Sequence, residues 1–136
     1  MSDEKPAPID KELVGEFVLK AHGDLDFVRQ TVEREPAVVN AAWDWGGGDW
    51  ETGLGAASHV GRRDIAEYLL EHGARKDVFA AAMLGEVDVV RAMLDAQPEL
   101  REARGPHGIS LRAHAEAGGE QAGGVLDLLH GAAATT

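Results

Sequence analysis

Cysteine is absent from the 136 residues, which excludes disulfides, cysteine-based zinc sites and thiol chemistry together and fits a reducing compartment. Aromatic residues are scarce, at 5%, although hydrophobic residues make up 44%. Alanine, leucine, valine and glycine carry the apolar content instead, which suits closely stacked helices joined by tight turns better than a β-sandwich. Positive charge is also in short supply: 13 Lys and Arg face 24 Asp and Glu, a formal net charge of −11. An approach to nucleic acid or an anionic membrane meets net repulsion, and the longest basic pairs, Arg62-Arg63 and Arg75-Lys76, are too short to reverse it. No apolar run approaches the ~18 residues of a membrane span, and the polar start, Met1 to Pro8, lacks the apolar centre of a signal peptide. These absences predict an acidic cytoplasmic protein of about one domain, with no nucleic-acid or membrane partner.

What is present is a repeat. The segment Ala21-His22-Gly23-Asp24-Leu25-Asp26-Phe27-Val28-Arg29 aligns without a gap on Met83-Leu84-Gly85-Glu86-Val87-Asp88-Val89-Val90-Arg91 at a constant offset of 62 residues. The match continues, with Pro36 on Pro98 and Ala41 on Ala103. Between them, Gly61-Arg62-Arg63-Asp64-Ile65 repeats the turn again, and Gly119 closes a fourth copy. In each copy a short helix is expected to end at a glycine able to turn left-handed, and a second to start on acidic residues such as Asp24, Asp26, Glu86 and Asp88, where the helix dipole favours anions. Phe27, Val28 and Val32, like Val89, Val90, Met93 and Leu94, recur at helical spacing and make one apolar face. One helix pair cannot bury that face alone, so the copies must stack.

The residues of the second copy point to a family. Thr52-Gly53-Leu54-Gly55-Ala56-Ala57-Ser58-His59-Val60-Gly61 resembles the ankyrin first-helix signature Thr-Pro-Leu-His-x-Ala-Ala-x-x-Gly, and Leu69-Leu70-Glu71-His72-Gly73-Ala74 resembles the Leu-Leu-x-x-Gly-Ala that closes the second helix. The resemblance runs from about Leu13 to His130. It implies an all-α fold, an α-solenoid of about four stacked helix-turn-helix ankyrin repeats, over residues 11–131, with a disordered leader at 1–10 and a tail at 132–136. Two departures stand out. The spacing between turn glycines falls to 24 residues from Gly61 to Gly85, leaving only Arg75-Lys76-Asp77 where a hairpin finger is usual, and it rises to 38 from Gly23 to Gly61, making Asn40 to Glu51 a long finger.

That finger is the most unusual stretch of the chain. All three tryptophans, Trp43, Trp45 and Trp50, surround Gly46-Gly47-Gly48 and are flanked by Asp44, Asp49 and Glu51. An aromatic, flexible, acidic loop suits recognition; alternatively the tryptophans fold back over the gap left by the missing third finger. Ankyrin proteins bind through finger tips and the inner face of the first helices, so the resemblance assigns partner contacts to Trp43, Asp44, Trp45, Asp49, Trp50, His22, His59 and Met83. For Val60, Met83 and Leu84 packing is the stronger reading, ahead of direct contact. The six histidines come without His-Glu-x-x-His, cysteine or a carboxylate cluster at ligand spacing, so no metal ligand and no cofactor is expected; His107 and His114 stand seven apart across a loop, and His22, His59, His72 and His130 read as turn or solvent-facing residues. The triple glycine lacks the Lys-Ser/Thr of a phosphate loop, and neither Ser58 nor Ser110 sits in a nucleophile motif.

The expected function is a non-enzymatic protein-interaction module, an adaptor or scaffold, acting as a monomer or weak homodimer on a protein whose surface the acidic charge biases towards basic. Two alternatives stand beside it: a small-molecule or metal-binding protein, or an enzyme, that uses the finger with the inner-face histidines, and a self-associating module.

Overall fold

Eight α-helices and one two-stranded sheet make up the fold in the computed structural model, which describes residues 5–134. Helices α1 (Lys11–Lys20) and α2 (Leu25–Arg34) are followed by a hairpin of β1 (Ala42–Asp44) and β2 (Trp50–Thr52). Then come α3 (Gly53–His59) with α4 (Arg63–Glu71), α5 (Val78–Leu84) with α6 (Val87–Ala96), and α7 (Leu111–Ala117) with α8 (Gly123–Ala134). The chain is thus mostly helical, as its composition predicts, and among the described residues no helix is long and apolar enough to cross a membrane.

Local chemistry sets the helix starts. Thr52, Asp77 and Ser110 each accept a hydrogen bond from the backbone N–H three residues on, at Gly55, Ala80 and Ala113, which caps α3, α5 and α7 alike. Asp24 caps α2 in the same way, whereas α4 and α6 begin without a side-chain cap. The turn glycines Gly61, Gly85 and Gly119 take positive φ of 74°, 80° and 67°. Gly23 does not, so the first turn closes without the left-handed residue that the repeat pattern predicts.

Helices α3 and α5 bury nearly every residue. Ala56, Ala57, Ala80, Ala81 and Ala82 are fully buried, and the small side chains let α1, α3, α5 and α7 pack in close succession. Phe17, Val18, Leu54, Ile65 and Leu69 fill a core at the N-terminal end, and Val78, Val90, Leu94, Leu111 and Val125 a second at the C-terminal end. Helix α8 continues through Ala134, so the first part of the stretch read as a tail is helical; residues 1–4 of the leader and 135–136 of the tail lie outside the described residues. Ile9, within the stretch read as leader, packs on the N-terminal core.

One feature departs from a linear stack. Helix α3 touches α7 as well as α5, and Gly61 lies against Ala117, so the second and fourth helix pairs are in direct contact. The connection from α4 to α5 carries no strand and ends in the Asp77 cap. With no finger there, the hairpin ahead of α3 meets the loop ahead of α7, and Asp49 of the hairpin hydrogen-bonds His107 of that loop.

Candidate metal centre

The hairpin is built around its glycines. Asp44 Oδ1 accepts from the N–H groups of Gly46 at 2.8 Å and Gly48 at 3.0 Å, and the three glycines take φ of 137°, 65° and 90°, a path that residues with a Cβ rarely adopt. Strand pairing places Trp43 opposite Glu51 and Asp44 opposite Trp50. Directly opposed residues share a face, so Trp43 and Glu51 turn inward together while Trp50 faces out, 61% exposed. Trp43 lies within 3.2 Å of where a Cβ on Gly15 of α1 would stand, and this anchors the hairpin on the first helix. Its place is therefore in packing rather than at a partner-contact tip, and it covers α1 rather than the gap ahead of α5. Met83, also assigned to partner contact, is fully buried in α5 and unavailable to a partner.

Beneath the hairpin, four side chains from four separate segments converge. His22 follows α1, Glu51 lies in β2, His59 ends α3 and His107 sits in the turn Pro106–Gly108 ahead of α7. Their ligand-type atoms all lie within 4.8 Å of one another. His22 Nε2 is 3.1 Å from His59 Nε2 and 3.4 Å from Glu51 Oε1; His59 Nε2 is 3.1 Å from Glu51 Oε2; His107 Nε2 is 3.3 Å from Glu51 Oε1. Glu51 has a fully buried carboxylate, while the three imidazoles are 25%, 13% and 32% exposed. The linear spacing predicts no metal site, and His22 and His59 read there as turn or solvent-facing residues; folding instead brings these histidines to a shared carboxylate.

A further set of contacts aims the rings. His22 Nδ1 faces the carbonyl oxygens of Val18 at 3.1 Å and Leu19 at 3.0 Å. A carbonyl can only accept, so Nδ1 carries the proton, and in the neutral ring Nε2 presents its lone pair to the cluster. His107 Nδ1 lies 2.8 Å from Asp49 Oδ2, and its backbone N–H donates to Asp49 Oδ1 at 2.8 Å, so its Nε2 likewise turns inward as an acceptor in the neutral ring. That grip holds His107 at φ 61°; among the described residues it is the only non-glycine with positive φ, a conformation that costs on the order of 1 kcal/mol. Trp45 Nε1 donates to Glu51 Oε1 at 2.8 Å. Imidazoles tied at Nδ1 by a carbonyl or carboxylate, with Nε2 free, are the arrangement that orients metal-binding histidines.

Lone pairs therefore crowd one point. His107 Nε2 and Glu51 Oε1 face each other as two acceptors unless positive charge lies between them, and the same holds for His22 Nε2 against that oxygen. Glu51 Oε2 is buried and, despite the 3.1 Å approach of His59, has no hydrogen bond of acceptable direction. Burial is the largest influence on the Glu51 carboxyl and pushes its pKa up; His59, Trp45 and the charges of His22 and His107 outweigh it and hold the group below its ordinary value, ionised. Burial opposes protonation of His107, but Asp49 and Glu51 raise its pKa above the ordinary value. Asp49 is held below its own, chiefly by the backbone N–H of His107.

Three imidazole nitrogens and a carboxylate form a donor set for a borderline divalent cation such as zinc. Metal–ligand bonds of about 2.0–2.2 Å give tetrahedron edges of roughly 3.3–3.6 Å; the His22–His59 contact at 3.1 Å and the contacts of His22 and His107 to Glu51 Oε1 at 3.4 and 3.3 Å lie near that length, with all four ligand atoms within 4.8 Å of one another. His114, the one fully buried histidine among the described residues, donates from Nδ1 to the Ser110 carbonyl oxygen at 2.7 Å and packs on Phe79, outside this donor set. No protein-family model, curated protein or solved structure matches the chain.

Glu51 and His107 were the site residues that sequence reasoning missed. The available signal was the stacking itself: His22 and His59 both stand just before a turn glycine, so neighbouring copies bring them side by side.

Proposed function

We propose that this chain is a metal-binding repeat protein, a binding module rather than an enzyme, that holds one zinc-class divalent cation between His22, Glu51, His59 and His107. The observation that carries this reading is the convergence of four ligand atoms within 4.8 Å on a buried carboxylate. Three of the ligands come from ankyrin-like positions, the ends of two first helices and a finger, and the helix pairs are read as degenerate ankyrin repeats on the motif at Thr52 to Gly61. The bound ion joins the first, second and fourth pairs through the hairpin, so binding the metal and fixing the inner surface become one event. The acidic, cysteine-free composition agrees with a cytoplasmic setting.

A protein partner is the second reading, on one observation. Trp50 stands 61% exposed beside a cleft of about 330 Å³ shared with Phe79, Arg104 and Pro106. An aromatic side chain of this size at a cleft edge suits a hot-spot contact. The metal would then hold the recognition surface in shape.

Isothermal titration of the metal-stripped chain with zinc chloride, beside magnesium chloride, tests the first reading. One zinc per chain and no magnesium is the expected result, with binding lost in a folded His59→Ala/His107→Ala variant. Undiminished zinc binding by that variant, or none by the unmodified chain, would refute the assignment.

A further inference from the structure

Two backbone edges border the cleft beside Trp50. In an antiparallel pair, opposed residues alternate between those that exchange hydrogen bonds and those whose N–H and C=O groups point outward. Trp45 N donates to Asp49 O at 3.0 Å, so that pair is of the first kind and the next, Asp44 with Trp50, is of the second. The N–H and C=O of Trp50 therefore turn away from β1. The loop ahead of α7 repeats the geometry: Arg104 lies opposite Ser110, and Gly105 N donates to Ile109 O at 2.8 Å. The N–H and C=O of Arg104 thus turn away from Ser110. Among the described residues, no backbone group pairs with these two outward positions. The cleft of about 330 Å³ takes its walls from Trp50 and Thr52 of β2 and from Arg104 and Gly105, and neither β1 nor Ser110 lines it, which puts it on the outward side of both edges. The connection from α4 to α5 ends at the cleft in Asp77 and sends no strand into it.

We infer that this cleft takes an extended, basic peptide segment of a partner protein, added as a strand between the edges at Trp50 and Arg104. The assignment rests on the partner reading of the same cleft and gives it a chemistry; it does not depend on the metal. An unpaired edge is a template for another strand, and in such additions the backbone supplies the affinity. Successive residues of a strand turn their N–H and C=O groups to opposite sides, so a single segment can serve both edges. Charge sets the class of peptide. Asp49 and Asp77 line the cleft against one cation, Arg104, whose guanidinium already donates to the Gly108 carbonyl at 3.3 Å, and the whole chain carries −11. Lysine or arginine side chains on the incoming strand therefore meet a favourable field. The rings of Trp50 and Phe79 offer apolar contact to the residues between them, which suits a β-branched side chain.

Amide NMR of the isotope-labelled full chain tests the assignment with three blocked peptides: Lys-Val-Lys-Val-Lys, the same sequence with both valines N-methylated, and Glu-Val-Glu-Val-Glu. Because the backbone carries the pairing, the sequence of the natural partner is not needed. The first peptide is expected to bind with a Kd below about 1 mM, shifting the Trp50 and Arg104 amides and slowing their hydrogen exchange. N-methylation removes every N–H on one side of the strand and should weaken binding at least about tenfold, and the acidic peptide should bind at least about threefold more weakly than the basic one. Equal binding of the methylated peptide at these residues overturns strand addition and leaves a side-chain docking site, so the partner reading stands. Equal binding of the acidic peptide overturns the basic class. Shifts of the same amides with protein concentration alone overturn the peptide occupant in favour of a second copy of the chain. If no peptide disturbs Trp50 or Arg104 by about 1 mM, strand addition and the partner reading of the cleft fall together.

Discussion

Replacing Glu51 with glutamine tests the centre at its most informative atom. Glutamine keeps the shape of the side chain, and with its oxygen placed to accept from Trp45 Nε1 its amide nitrogen takes the Oε2 position, where it faces His59 Nε2. Without metal, the variant should therefore stay within about 1 kcal/mol of the unmodified chain. With zinc the two should part. At a zinc concentration of about 100 Kd, binding to the folded state alone adds about 2.7 kcal/mol. For a chain of this length each kcal/mol moves the melting temperature by roughly 3–5 °C, so the expected rise is roughly 8–13 °C. Removing a charged ligand should cost at least the 10–100-fold in affinity seen for outer partners of metal ligands, or about 1.4–2.7 kcal/mol. At the same zinc concentration the rise then shrinks to roughly 1–7 °C. Paired thermal melts with zinc, magnesium and chelator make the measurement. A full zinc shift in Glu51→Gln would refute the reasoning, as would an equal shift with magnesium.

Other perturbations probe the frame. Trp43→Ala removes the anchor of the hairpin on α1 and should lower stability by about 2–3 kcal/mol, less than for a fully buried tryptophan, with zinc affinity falling alongside; unchanged melting would contradict that anchoring. Gly85→Ala places a Cβ against the carbonyl oxygen of Gln121 at φ 80°, whereas Gly73→Ala at φ 99° meets no atom within 4 Å. The first should cost more than about 2 kcal/mol and the second about 1, and equal losses on denaturant titration would show that close approach at Gly85 is not the constraint. Burial chiefly holds the His114 pKa below its ordinary 6.5, against a smaller opposing effect of the Ser110 carbonyl. The unfolded chain therefore binds more protons below about pH 6.5, so the stability from neutral His114 is complete above that pH and lost as pH falls towards the depressed folded value. His114→Phe should flatten the fall in melting temperature of the metal-free protein between pH 6.5 and 5; an unaltered slope would place the acid sensitivity elsewhere.

Much of the frame was legible because it is written locally. The Asp24 cap and the left-handed glycines at 61, 85 and 119 need only a few residues each. Gly23 escaped the pattern, since its turn closes without positive φ. The hairpin was visible as a long tryptophan and glycine finger, but the roles within it were not. Burial separates Trp43 from Trp50, and which of the two faces inward follows from the pairing register, a tertiary fact. The centre was least legible, because its ligands lie at positions 22, 51, 59 and 107, and no local motif spans such gaps. Asp49, read as a partner contact, instead hydrogen-bonds the remote histidine.

The truncated connection between α4 and α5 has a consequence for how the molecule comes apart. In an array whose units touch only their neighbours, either end can fray without disturbing the other. Here a shorter link allows the second pair to reach the fourth, through α3 against α7 and Asp49 against His107. The loop so closed makes the two ends share one fate, and the last pair cannot detach without opening the pocket that the first pair helps to form. A short connection, rather than an added element, turns a row into a ring of mutual dependence.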